Sequence, residues 1–239
     1  MTMSRRAIVR PLEPGGDDDD AIRRLFRQTV CLGRPLPFAV PGWEAYESLC
    51  LDWYLGPGRQ HAGLLVVDGR VTGYALVCTD AEAQRRWQRH HAAHFSTMAV
   101  LRLLGRRVHP DAARFLRLRL RDGWDLWRHS GAPAAAHAHL NLAPSSRATL
   151  GARFLLDHIN VQCRSAEVDG WWGEVNARAG HRARALERLG GAVVHRAPNH
   201  TLSWLLGEPV ERLTVLWRLA PLEGPEAGVE YAVERAAVA

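Results

Sequence analysis

The sequence predicts an α/β fold, with a mixed central sheet of about seven strands flanked by helices. Three observations carry that expectation. Apolar runs of period two alternate along the chain with segments of helical period. The pair Asp68-Gly69 stands between two apolar runs, a strong short-range hairpin signal. Two long helical patterns, Ala81 to Leu104 and Pro110 to His129, fall together between the third and fourth expected strands. Hydrophobic residues make up 47% of the 239, enough to bury a sizeable core.

Taken in order, Ala7 to Leu12 reads as a short edge strand, since Arg10 and Pro11 interrupt it. Asp17 to Asp20 precede a helical run at Ala21 to Arg27, where negative charge suits the positive end of the helix dipole. Gly33 to Pro41 is a proline-rich loop. Trp43 to Leu55 is a second helix, closed by Gly56-Pro57-Gly58. Ala62 to Val67 and Arg70 to Cys78 form the hairpin. The two-helix insertion carries Arg86, Arg102, Arg107, Arg114, Arg117, Arg119 and Arg121. Its first reading is a solvated helical face, and its second is a lid or partner surface. Ala135 to Leu142 is a strand, Ala143 to Ser146 a loop, Leu150 to Arg164 a helix and Trp171 to Ala177 a strand. His181 to Leu189 is a short helix ended by Gly190-Gly191. Ala192 to Leu206 and Arg212 to Leu219 read as two closing strands joined across Gly207 to Pro209. The organisation expected is one domain over residues 1–220, with 81–130 as the helical insertion and 221–239 as a tail.

Composition excludes several classes. The formal charge is +6, but all 31 basic residues other than histidine are arginine, which reads as compositional bias. No nucleic-acid motif accompanies the charge, so a nucleic-acid partner is disfavoured. The four cysteines are scattered without paired spacing and suit buried thiols in a reducing compartment. No run is long and apolar enough for a membrane span and no secretory signal leads the chain, so a cytoplasmic location is expected. Of His90, His91 and His94, positions 90 and 94 lie one helical turn apart, but no glutamate follows the first and no third ligand is evident, so no metal site is expected.

The chemistry points to the fourth strand and the helix start beyond it. Leu140 to Leu156 runs from a strand into a helix through the small residues Ala148, Thr149, Gly151 and Ala152. An exposed helix start of this kind binds anions, above all phosphates. Arg147-Ala148-Thr149-Leu150-Gly151-Ala152, continued by Arg153, resembles the pyrophosphate loop Arg/Gln-x-x-Gly-x-Gly/Ala of the GNAT superfamily of N-acetyltransferases. Ala185 to Gly191 resembles that superfamily's Phe-Tyr-Glu-Lys-Leu-Gly-Phe segment. His139-Leu-Asn-Leu-Ala-Pro144 is similar to a His-x-Asp-x-x-Pro run in a bacterial subgroup allied to the C-terminal domain of protein O-GlcNAc hydrolases.

The resemblance implies a GNAT-like sheet and an acyltransferase that uses acetyl-CoA or another acyl-CoA as co-substrate. It further implies that a bulge in the fourth strand exposes the backbone N–H groups of Leu142 and Ala143 to the thioester and pantetheine. The amides from Arg147 to Ala152, with Arg153, would hold the pyrophosphate. Three positions depart from the pattern: Leu150 replaces a glycine, Leu186 the usual tyrosine acid, and Ala179 an asparagine.

For the base, period two places His137, His139 and Asn141 on one strand face, and Trp172, Glu174 and Asn176 on another. His139 titrates near neutrality in water and can take a proton from an ammonium; Glu174, a carboxylate in an interior strand, is the second candidate. Asn141, Trp172 and Asn176 are candidate acceptor contacts. The expected partner is a small-molecule amine or amino sugar. A homodimer through the terminal strands is compatible with the order of elements. A catalytically silent binding module, or a related fold with another donor or condensation, stays open.

Overall fold

The computed structural model describes residues 7–105, 108–129, 132–146 and 151–220. Its strands are β1 (Ala7–Pro11), β2 (Gly63–Val67), β3 (Arg70–Cys78), β4 (Ala136–Leu142), β5 (Gly170–Arg178), β6 (Gly191–Pro198) and β7 (Val210–Arg218). Its helices are α1 (Asp17–Thr29), α2 (Trp43–Leu55), α3 (Ala81–Leu104), α4 (Pro110–His129), α5 (Gly151–Ser165), α6 (Ala183–Arg188) and α7 (His200–Leu206). Arg107, Arg147, Ala148, Thr149, Leu150 and the tail 221–239 lie outside the described residues.

Local chemistry accounts for most boundaries. Asp68 and Gly69 both take positive φ (49° and 75°), the conformation a two-residue hairpin turn demands. All four aspartates of Asp17–Asp20 fall in the first turn of α1. Two of them do more than oppose the dipole. Asp18 takes both guanidinium nitrogens of Arg10 at 2.8 Å, and Asp19 pairs with Arg59. They tie α1 to β1 and to the turn before β2.

The strand expected over Ala192 to Leu206 is instead a strand and a helix. β6 stops at Pro198, Asn199 accepts from the Leu202 N–H as N-cap, and α7 follows. The period-two reading overlooks the Pro-Asn start signal. A distant residue completes the helix start. Asp122 of α4, 2% exposed, accepts from His200 N at 2.9 Å, Thr201 N at 3.0 Å and the Thr201 hydroxyl at 2.5 Å. Asp122→Ala is expected to cost about 2–4 kcal/mol, through the lost cap and the buried donors left behind. A lowered urea midpoint with unchanged slope checks this.

The sheet order is β1-β2-β3-β4-β5-β7-β6, antiparallel throughout except for the β4–β5 pair. One face is apolar: Ala136, Ala138, Leu142, Leu213, Val215 and Trp217 pack with Leu155, Leu156 and Ile159 of α5. The other face lies beneath α1 and α2 through Ile22, Phe26, Leu51 and Tyr54. The insertion helices α3 and α4 join that side. Phe95, Ala99, Phe115 and Leu116 close on Trp43 and Tyr46 of α2, Trp204 of α7 and the loop at Phe38 and Val40. Among the described residues no helix is long and apolar enough to cross a membrane.

Candidate active site

β4 and β5 pair only at Ala136–Trp171 and His137–Trp172, although β4 runs on to Leu142 and β5 to Arg178. Past that point the ladder stops and the sheet holds a wedge. Gly173 marks its apex, where a Cβ would lie 2.9 Å from the Ala138 carbonyl. Only glycine lets the two backbones approach there.

The rim of the wedge is backbone. β3 and β4 keep unbroken register from His137 to Leu142, so no bulge interrupts β4 there. The Ala143 N–H continues that ladder, donating to Thr72 O at 2.8 Å, and so faces β3. Backbone groups alternate direction along a strand, so those of Leu140 and Leu142 face the wedge instead. The Leu142 N–H already donates to Asn141 Oδ1 at 3.1 Å. Of the two donors the resemblance implied, Leu142 therefore faces the wedge and Ala143 faces β3. Beyond β4 in the chain, α5 begins with Gly151 and Ala152, and Arg153 beside them is exposed with no carboxylate paired to it among the described residues.

Side chains on the α1–α2 face form rows across the sheet. Continuing the β4–β5 offset sets His139 level with Glu174, and Asn141 level with Asn176. Across β5 and β7, Glu174 stands opposite Thr214 and Asn176 opposite Arg212, while His195 of β6 is opposite Thr214. The sequence-expected residues His139, Asn141, Trp172, Glu174 and Asn176 are thus brought to one face, on two lips of one wedge.

Their states differ. The Tyr54 hydroxyl lies 2.5 Å from His137 Nδ1 and accepts from Gln84 Nε2 at 2.6 Å. Its own proton must therefore go to His137, which has to be neutral at Nδ1. Burial, and then the neighbouring His139, push His137 down to about 3. His139 makes edge contacts with Phe26 and Tyr74, centroids 6.1 and 5.6 Å away, and no hydrogen bond holds it among the described residues. Burial in this aromatic surround lowers it to about 4. Glu174 is reached by solvent but sits deep in the concavity; desolvation raises its pKa, against the pull of Arg212 and His195. Asn141 donates to the Thr29 hydroxyl at 2.5 Å, and Asn176 accepts from Asn199 at 2.8 Å, so both are already engaged. Trp172 packs on His137 at 4.3 Å, its indole N–H buried without a partner.

Two arginines complete the face that sequence reading did not single out. Arg212 of β7 is 6% exposed, and its Nε is buried without a hydrogen-bond partner. Arg119, read in sequence with the solvated face of the insertion, turns inward: its guanidinium lies 5.2 Å from the Tyr46 ring and 5.4 Å from that of Phe115. Its Nε is also buried and unpartnered. A signal for Arg212 existed, because it shares the inward parity of Thr214 and Leu216. None existed for Arg119 beyond its spacing from Phe115 and Leu116. Elsewhere, Leu186 is buried in the apolar core, away from the wedge face. His91 stacks on Trp87 at 3.5 Å, and among the described residues no cluster of three or more His, Cys, Asp or Glu could hold a metal.

No family model matches the chain, and no curated protein matches it. Solved structures do. A protein designated SsHAT is 19% identical, over 90% of this chain and 99% of its own, with a TM-score of 0.56. A polyamine N-acetyltransferase of Drosophila melanogaster, which forms N-acetylagmatine, is 14% identical over 90% and 100%, with a TM-score of 0.52. An agmatine N-acetyltransferase is 14% identical over 89% and 99%, with a TM-score of 0.50. The chain has the N-acetyltransferase fold that these structures share. It is the GNAT fold: a mixed sheet of seven strands parted between β4 and β5, with a two-helix insertion between β3 and β4.

Proposed function

We propose that this chain is an acyl-CoA-dependent N-acyltransferase, acting with acetyl-CoA on the amine of a small molecule, an amino sugar among the candidates. The observation that carries the reading is the wedge itself, a stretch of β4 edge that β5 does not pair, with His139 on one lip and Glu174 on the other. An unpaired strand edge inside a protein recognises extended, amide-bearing chains by main-chain hydrogen bonds, as pantetheine would present. The start of α5, with Gly151, Ala152 and Arg153, offers backbone donors and a cation to a pyrophosphate, and the segment Arg147 to Leu150 leads into it. The related folds include enzymes whose names give amines as their acceptors.

The acyl-CoA, when bound, supplies the activated acyl carbon and a thiolate leaving group. The chain's own part is to orient and deprotonate. His139, neutral and without a hydrogen bond, is placed to take a proton from the incoming ammonium, directly or through water. Glu174 opposite can hold that ammonium by charge. The Asn141 side chain can release the Leu142 N–H to the acyl oxygen as negative charge develops there.

One observation favours the silent-module reading: in this structure the Leu142 N–H is already taken. Calorimetry with acetyl-CoA separates the two. The transferase reading expects saturable binding below millimolar cofactor, followed by amine-dependent release of free thiol. No binding at millimolar acetyl-CoA would remove it.

A further inference from the structure

Arg212 poses an energetic question. A guanidinium taken out of water needs charge-assisted hydrogen bonds to offset its desolvation. Arg212 is 6% exposed, its Nε has no partner, and no carboxylate lies within ion-pair distance of it among the described residues. Glu174 is one row away, opposite Thr214, and does not close on it. Arg119 repeats the pattern from the other side of the cleft. It leans on the faces of Tyr46 and Phe115, and its Nε is buried and unpartnered. Three residues on from Arg119, Asp122 ties α4 to His200 and Thr201, just beyond the Ala197 that stands opposite Arg212, and both arginine charges act on the Tyr46 hydroxyl. The insertion helix α4 and strand β7 thus converge there with two arginines whose Nε atoms are buried and, among the described residues, unpartnered.

We infer that this spot binds a carboxylate of the acceptor, and that the acceptor is an amino acid; this rests on the transferase reading above. The layout fits both ends of such a molecule. Its ammonium meets His139 and Glu174 in one row, and its carboxylate meets Arg212 and Arg119 in the next. The planar guanidinium fork pairs two nitrogens with two carboxylate oxygens, a geometry that a lone amine cannot satisfy. The same two charges repel a polyamine, so the chain parts in acceptor from those related folds whose names give polyamine and agmatine. The insertion acquires a role here, since α4 supplies half of the anion site.

The test is calorimetry on the full chain, first with CoA and then, with and without saturating CoA, with the twenty amino acids. Each binder is compared with its decarboxylated amine: arginine with agmatine, phenylalanine with phenethylamine, lysine with cadaverine. At least one amino acid is expected to bind ten-fold or more tightly than its amine. Arg212→Met is expected to abolish that preference with CoA affinity unchanged, and to melt no lower than wild type because an unpaired buried charge is removed. Arg119→Met, at a partly exposed helix position, provides a second variant should the first fail to fold. Equal affinities within every pair, preference for the amines, or preference surviving in both variants would overturn the inference. Loss of CoA binding alone would instead sink the transferase reading, because the preference is also measured without CoA.

Discussion

Replacing His139 by alanine is expected to lower the turnover number about 10²–10⁴-fold, the usual contribution of a positioned general base. The affinity for acetyl-CoA should stay unchanged, since no cofactor contact is assigned to the imidazole. The competing base is Glu174 on the opposite lip, and Glu174→Gln is the paired control. A large loss in His139→Ala with a modest rise in acceptor KM in Glu174→Gln assigns proton removal to the histidine; the reverse assigns it to the carboxylate. Unchanged turnover in both would remove the mechanism.

The pH dependence comes from burial. With His139 lowered to about 4 and His137 to about 3, both imidazoles are neutral in the folded protein near neutrality. No acid limb near the ordinary histidine value is therefore expected in kcat. Stability carries the sign instead. Between the ordinary value and the depressed ones the unfolded chain binds more protons than the native chain. The stabilisation is complete above about pH 6.5 and declines as pH falls toward 4 and 3. The Tyr54 hydrogen bond adds to this, because it requires an unprotonated Nδ1 on His137. Thermal melts from pH 7.5 to 4 should show the fall, and His137→Phe should flatten part of it.

Glu47→Ala should give a large loss of stability, in the same range as Asp122→Ala. Glu47 is 2% exposed and accepts from Arg27 Nε at 2.6 Å, Trp43 Nε1 at 2.9 Å and Arg23 at 3.2 Å. Removing one partner of a buried ion pair costs about 3–5 kcal/mol. Two features lower that here: the Arg27 side chain is half exposed and can turn to water, and Arg23 keeps Asp52 at 2.6 Å. A cost of about 2–4 kcal/mol is expected, read from denaturant titration. Burial alone would raise the Glu47 pKa, but the hydrogen bonds from Arg27, Trp43 and Arg23 outweigh it and the net shift is downward. The stabilisation is thus full above the ordinary carboxylate range and lost as pH falls through the depressed native value. The variant should lack that acid component.

Periodic patterns made most elements legible. Trp43 to Leu55, Ala81 to Leu104, Pro110 to His129 and Arg70 to Cys78 have in the structure the bounds the sequence suggested, because each is framed by glycine, proline or aspartate with its own backbone preference. Residues 200–206 escape that pattern because the alternation in Ala192 to Pro198 reads as a strand that continues. The deciding contact, Asp122, lies far away in sequence and no local pattern contains it. The site was half legible. His139 and Glu174 could be named because period two assigns each a face within its own strand.

By itself, then, the sequence determined the fold class and the strand faces. These depend on local periodicity and on turn residues, which act over a few positions. Only the tertiary structure ended the β4–β5 ladder at His137, turned the Ala143 N–H toward β3, and laid Arg119 over Tyr46. Those are matters of register and burial across elements far apart in the chain, where solvation, more than spacing, fixes what a charge can do.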